Sequence, residues 1–218
     1  EVTPDKLLKV AHDGTVLAGR GNCEISAFEI HRAIHDLDPR RYAVVLHTHM
    51  PYATALCCVA TKSEEHPLKM CNQNSLRFYD DVAYDPVYHG LVCEEDEGNR
   101  LAKAMDNKLA LLHRNHGVIV CGATVAEAFD DLYYLERAAM IQVLAASTGQ
   151  ELLLVDDATA KATKEATDSL KPHYAKAHLD AWKREMRRSE GTWPSENWLP
   201  VLAASMIALT TLFVLRSR

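Results

Sequence analysis

His47 and His49 stand one residue apart at the end of the run Tyr42-Ala43-Val44-Val45-Leu46-His47-Thr48-His49. A run so rich in apolar and β-branched residues predicts a buried strand, and a strand's period of two puts both imidazoles on one face. Adjacent neutral imidazoles are ligands for a divalent cation such as zinc, and a catalytic centre of that kind takes three protein ligands and keeps a position for water or substrate. A third imidazole is offered by His116, which falls in the turn Arg114-Asn115-His116-Gly117 between two short apolar runs. The glycine after it lets the backbone bend close to such a site. Spacing alone is weak support, because core or hydrogen-bonded histidines account for most of the 11 in the chain.

The elements that would position these side chains can be read around them. Leu7 to Leu17 alternates about an Asp13-Gly14 turn and predicts a hairpin. Ser26-Ala27-Phe28-Glu29 has the Ser-x-x-Glu form of a capping box, placing a helix start at Ser26 and a stop near Pro39. The strand carrying His47 follows, then a short helix within 53–60, a polar loop from Thr61 to Pro67, and a strand signal around Val82 to Tyr84. Acidic residues at 94–97 open an exposed helix, and their charge suits its N-terminal dipole. Leu109 to Leu112 and Val118 to Cys121 flank the His116 turn as strands, and Thr124-Val125-Ala126-Glu127 opens a long helix to about Ala146. Residues 158–188 are helical in propensity, polar and increasingly basic.

At 218 residues the chain has length for one domain and an appendage. Hydrophobic residues make up 48% and charged residues 25%, which excludes a disordered or low-complexity chain. The net charge of −6, with no basic stripe, argues against a nucleic-acid partner. Cys23, Cys57, Cys58, Cys71, Cys93 and Cys121 lie at irregular spacings without a CxxC and read as reduced core residues of a cytosolic domain. The first residues carry no signal peptide, and the missing initiator Met suggests a fragment. From Trp198 to Leu215 the chain has no charge and ends in Arg216-Ser217-Arg218. A helix there would be about 27 Å long with interfacial anchors at both ends, a candidate transmembrane segment. Three parts are expected: a domain over 1–150, a helical basic extension and linker over 151–197, and the apolar segment 198–215.

VVLHTHMPYATAL (Val44 to Leu56) together with LLHRNHGVIVCGATVAEAF (Leu111 to Phe129) resembles the class II aldolase/adducin family, over about residues 5 to 150. The resemblance implies an α/β fold, a three-layer α/β/α sandwich with a mostly antiparallel central sheet, here followed by a C-terminal apolar helix. It implies that His47, His49 and His116 bind a divalent metal, normally zinc, and that the helix start at Ser26 lies in a phosphate-binding region. It also implies a homo-oligomer, commonly a tetramer with sites at subunit interfaces. A metal held by three neutral ligands can stabilise the enediolate required by retro-aldol cleavage, epimerisation or decarboxylation.

The sequence departs from the family in its acid/base groups, at its start and in its apolar tail, since the family's soluble enzymes do not usually end in a segment like Trp198 to Leu215. The acid/base glutamate of the sugar-phosphate aldolases is replaced by Ala27, and Glu29 does not take its place, since two residues along a helix point about 200° away. Their tyrosine falls near Asn72 or Gln73, with Tyr79, Tyr84 and Tyr88 nearby but unassigned. The family's N-terminal helix and strands precede the point where this chain begins. The expectation is a divalent-metal-dependent lyase-type enzyme acting on a small hydroxy-carbonyl compound or sugar phosphate, with no catalytic acid or base assigned. The alternative is an inactive, adducin-like scaffold joining membrane and actin cytoskeleton. In both cases the domain is expected in the cytoplasm, anchored through its tail.

Overall fold

The computed structural model describes residues 6–60, 66–90 and 95–190. The apolar stretch 198–215, Cys93 and most of the loop expected over 61–67 lie outside them. Among the described residues no helix is long and apolar enough to cross a membrane.

A small hairpin, β1 (Lys9–Val10) and β2 (Val16–Ala18), opens the chain, turning at Gly14 with φ +85°. Then follow α1 (Ile25–Leu37), β3 (Val44–Thr48), α2 (Pro51–Cys57), α3 (Gln73–Leu76), β4 (Val82–Asp85), α4 (Glu95–Ala104), β5 (Ala110–His113), β6 (Gly117–Gly122), α5 (Val125–Ala146) and α6 (Asp157–Glu190). The main sheet has the order β3-β6-β5-β4.

Alternation along the strands divides the core into two layers, one on each face of this sheet. Val44, Leu46, Ala110, Leu112, Val118 and Val120 pack against α2 and α5. Val45, Leu111, Ile119 and Cys121 face the other way, against α1 and α4. Helix α6 lies on the outside of α5.

The expectation of a mostly antiparallel sheet needs correcting, because the sheet is mixed. β3 with β6 and β6 with β5 are antiparallel, whereas β4 and β5 are parallel in the register Val82↔Ala110 to Asp85↔His113. The cause is the connection: β5 and β6 are joined by a tight turn, but β4 reaches β5 through α4, a helical crossover of the kind parallel neighbours require. The last described helix, α6, is polar, as residues 158–188 read in the sequence, and the C-terminal apolar helix expected over 198–215 lies outside the described residues. Along α6 only Ala160 and Ala175 join the buried hydrophobic residues, and its polar side chains bind α5, with Lys171 to Asp131 at 2.5 Å and His178 to Asp130 at 2.7 Å. Of the five described cysteines, expected as core residues, only Cys57 and Cys121 are buried, and Cys58 is exposed.

The start of α1 is a further correction. Its N-cap is Glu24, not Ser26: the Glu24 carboxylate accepts from the Ser26 amide at 3.1 Å, the Ala27 amide at 2.7 Å and the Ser26 hydroxyl at 2.9 Å. Glu29, expected to close a capping box, is taken instead by Arg32 at 2.7 Å. Farther along α1, His31 is fully buried, and neither ring nitrogen has a hydrogen-bond partner among the described residues.

Burial, with smaller contributions from His47 and His35, pushes the His31 imidazole down to about 3. The unfolded chain takes up that proton near the ordinary value of about 6.5, so this group's contribution to stability is present above pH 6.5 and is lost as pH falls towards 3. His31→Leu should therefore melt higher than wild type at pH 5, with a smaller gain or none at pH 8. Melts that shift in parallel at the two pH values would sink this linkage.

Candidate metal centre

The three motif histidines meet although they leave the backbone in different ways. His47 is the fourth residue of β3, His49 lies just past the strand's end, and His116 occupies the turn between β5 and β6. Pairing of β3 with β6 sets Thr48 opposite Val118, which brings the turn over the end of β3. The ring centroids are 5.0 Å apart for His47 and His49, 4.8 Å for His47 and His116, and 4.9 Å for His49 and His116. One ligand atom from each can be chosen so that all lie within 4.8 Å of one another. Such a triangle of nitrogens surrounds a point that a divalent ion can occupy after small side-chain adjustments.

The local chemistry suits a cation. His47 Nδ1 lies 3.1 Å from the Val118 carbonyl, so Nδ1 carries the proton there and Nε2 keeps its lone pair for a metal. Burial first, then the neighbouring imidazoles, pushes His47 down to about 3; burial and the His113 and His49 rings push His116 down to about 4. Both are neutral donors throughout the physiological range, without proton competition.

Gly117 is required by this approach. A Cβ there would lie 2.5 Å from the Thr48 carbonyl oxygen and 2.6 Å from His49 Cδ2. The turn is fastened elsewhere by the Asn115 amide, which donates to the Cys57 carbonyl at 3.1 Å, with Asn115 in the left-handed region at φ 54°. Cys57 Sγ in turn donates to the Ala53 carbonyl at 3.3 Å, and burial pushes its thiol up to about 12, so it is a packing group without thiolate character.

Ser26 is not part of this triangle. Its hydroxyl donates to Glu24, whose charge reaches His47 and which fills the start of α1. Asn72 and Gln73, aligned with the lost tyrosine, are structural: Asn72 caps α3, accepting from the amides of Asn74 at 3.1 Å and Ser75 at 3.2 Å, and Gln73 is the first residue of α3. Of the three tyrosines left unassigned, Tyr79 bonds Asp157, Tyr84 packs on His66, and Tyr88 stands near the centre with its ring 6.0 Å from that of His116.

Two residues, His113 beside the centre and Glu136 at the start of α2, were not singled out from the sequence. His113 packs its ring 5.1 Å from His116, and its place directly after the apolar run Leu109 to Leu112 was the available signal. Glu136 on α5 holds the start of α2, which has no side-chain cap of its own, by accepting from the Tyr52 amide at 3.0 Å and the Ala53 amide at 2.8 Å. No local pattern reveals a cap supplied from so far along the chain.

Comparison with known proteins bears on what this centre does. The family model described as class II aldolase and adducin N-terminal domain matches residues 1–143. A Streptomyces roseochromogenus protein named 4-hydroxy-3-prenylphenylpyruvate oxygenase/4-hydroxy-3-prenylbenzoate synthase is 33% identical over 149 residues, 68% of this chain and 52% of its own. Human beta-adducin is 32% identical over 163 residues, 72% of this chain and 21% of the adducin. The crystal structure of an aldolase II superfamily protein from Pseudomonas syringae superposes with a TM-score of 0.77 at 30% identity, covering 87% of this chain and 74% of that one. The chain spans about half the length of the first curated relatives it matches.

Proposed function

Because the chain belongs to the class II aldolase and adducin family, we propose that it is a divalent-metal-dependent lyase-type enzyme acting on a small hydroxy-carbonyl compound. The observation that carries this reading is the convergence of His47, His49 and His116 with ligand atoms within 4.8 Å. The fit is chemical as well as spatial, since two of the three rings are held neutral and His47 is turned to offer Nε2. When bound, the metal, zinc by preference for this donor set, supplies a Lewis acid for a carbonyl oxygen.

The chain's own residues hold that charge in place. His47 is aimed by Val118, while His49 and His116 close the triangle over Gly117. Ser26 is proposed as a substrate contact, accepting a hydrogen bond through the oxygen whose proton faces Glu24. Glu24 also bears on the substrate class. A helix start is a ready anion site, but here a carboxylate occupies the Ser26 and Ala27 amides, which favours an unphosphorylated keto or hydroxy acid over a sugar phosphate. The name of the Streptomyces relative points to an acid of the arylpyruvate type.

The test is turnover by the zinc- or manganese-loaded protein, offered hydroxy and keto acids beside sugar phosphates, with aldehyde, pyruvate and carbon dioxide followed as products. Activity that a chelator removes and the metal restores supports the reading; metal-loaded protein inert towards every member of both classes refutes it.

A second reading is an adducin-like scaffold, favoured by the likeness to beta-adducin and by Ala27 in place of the family's glutamate. The apolar stretch 198–215, preceded by Lys183, Arg184, Arg187 and Arg188, would then tether a homo-oligomer to a membrane beside actin. Co-sedimentation of the full chain with actin filaments and with lipid vesicles tests it, and failure to pellet with either ends it.

A further inference from the structure

Behind the third candidate ligand lies a chain of charged side chains, buried at Asp85 and Glu97, that the proposed chemistry does not use. Asp85 ends β4 and His113 ends β5, directly opposite in the parallel register, and both are almost completely buried. His113 Nδ1 lies 2.8 Å from Asp85 Oδ2. Arg100 of α4 grips the same carboxylate with two parallel bonds, Nη1 to Oδ1 at 2.9 Å and Nη2 to Oδ2 at 2.8 Å. Glu97, one turn earlier, grips Arg100 through Nε at 2.7 Å and Nη2 at 2.6 Å, and His89 Nδ1 lies 3.1 Å from Glu97 Oε2. Burial opposes ionisation of Asp85, but His113 and Arg100 outweigh it and hold its carboxyl well below the usual range.

This network ends at the metal centre. Asp85 meets the turn twice, by the close approach of its carboxylate to the His113 ring and by its carbonyl, which accepts a hydrogen bond from the Arg114 amide at 3.0 Å. His47 has the Val118 carbonyl to orient it, whereas no hydrogen bond to the His116 ring is present among the described residues. What stands against that ring, besides the other two candidate ligands, is His113 at 5.1 Å and Tyr88 at 6.0 Å.

We propose that His113, held by the Asp85–Arg100–Glu97 network, is the positioning residue for His116, so that metal affinity depends on a charge chain running from α4. Residues behind metal ligands commonly set affinity in this way. The usual arrangement is a direct hydrogen bond to the ligand; here the orientation passes through an edge-on contact with a second imidazole, itself packed against Asp85. The inference rests on the reading of His47, His49 and His116 as metal ligands.

The experiment measures zinc dissociation constants by competition with a chromophoric chelator, and the visible absorption of the cobalt(II)-loaded protein, for the full chain carrying His113→Phe, Asp85→Asn or Leu112→Ala. His113→Phe should weaken zinc about ten- to hundredfold and alter the cobalt spectrum, and Asp85→Asn should weaken it about tenfold. Leu112→Ala removes a fully buried core side chain and should lower the melting temperature while leaving affinity and spectrum at wild-type values. Should His113→Phe fail to fold, Asp85→Asn decides. Affinities within twofold of wild type and an unchanged cobalt spectrum in the folded network variants overturn the positioning role alone; a wild-type chain that takes up neither zinc nor cobalt overturns the metal centre as well.

Discussion

Replacing His47 and His49 together by alanine is expected to lower bound zinc from about one equivalent per chain to background, read by mass spectrometry of the metal in wild type and variant purified side by side. The expectation is sharp because a single remaining imidazole cannot hold a divalent ion against buffer and water. It has a second readout. A ligand that binds only the folded state at about a thousand times its dissociation constant stabilises it by roughly 4 kcal/mol, so zinc should raise the melting temperature of wild type and leave that of the variant unmoved. Metal retained in the double variant would place the ion elsewhere, and the convergence of the three rings would then have no bearing on chemistry.

Gly117→Ala should have the next largest effect. Its Cβ would fall 2.5 Å from the Thr48 carbonyl oxygen, which is backbone and cannot swing aside, and 2.6 Å from the His49 ring. Either the turn lifts away from β3 or the ring leaves the triangle. Overpacking of this kind costs about 1–3 kcal/mol, or several degrees of melting temperature for a domain of this size. Zinc affinity should fall further than the stability loss explains, because both escapes disturb the ligands themselves. A variant that melts lower but binds zinc as wild type does would show that the sheet takes up the whole strain.

The candidate centre was legible because its signals are local. A strand of known period carried His47, a glycine marked the close approach of His116, and both lay within recognisable stretches of sequence. Thr124 was legible for the same reason and caps α5 by accepting from the Glu127 amide at 3.2 Å. Ser26 shows how a local signal misleads: Ser-x-x-Glu fits a capping box, but Glu24 supplies two carboxylate oxygens where serine offers one hydroxyl, and Arg32 draws Glu29 away. The parallel pairing of β4 and β5 was not legible, because a four-residue strand carries no mark of its partner's direction. Nor were the caps and tethers made across the fold, such as Glu136 on α2 or Asp85 against His113.

The pairing of β3 with β6 also sets an order of events. The contact between His47 and Val118 closes a separation of 71 residues, across which α2, α3, β4, α4 and β5 must all be accommodated. Long-range strand pairing of this sort is the slow part of folding, since the entropy of closing the loop is lost before any contact offsets it. His47 and His49 leave the ribosome long before His116, and during synthesis they are only two imidazoles on an open chain. The triangle of nitrogens comes into being with the closing of the sheet, so a cation that needs all three rings would meet a scaffold already closed, as a passenger of folding and not as its nucleus.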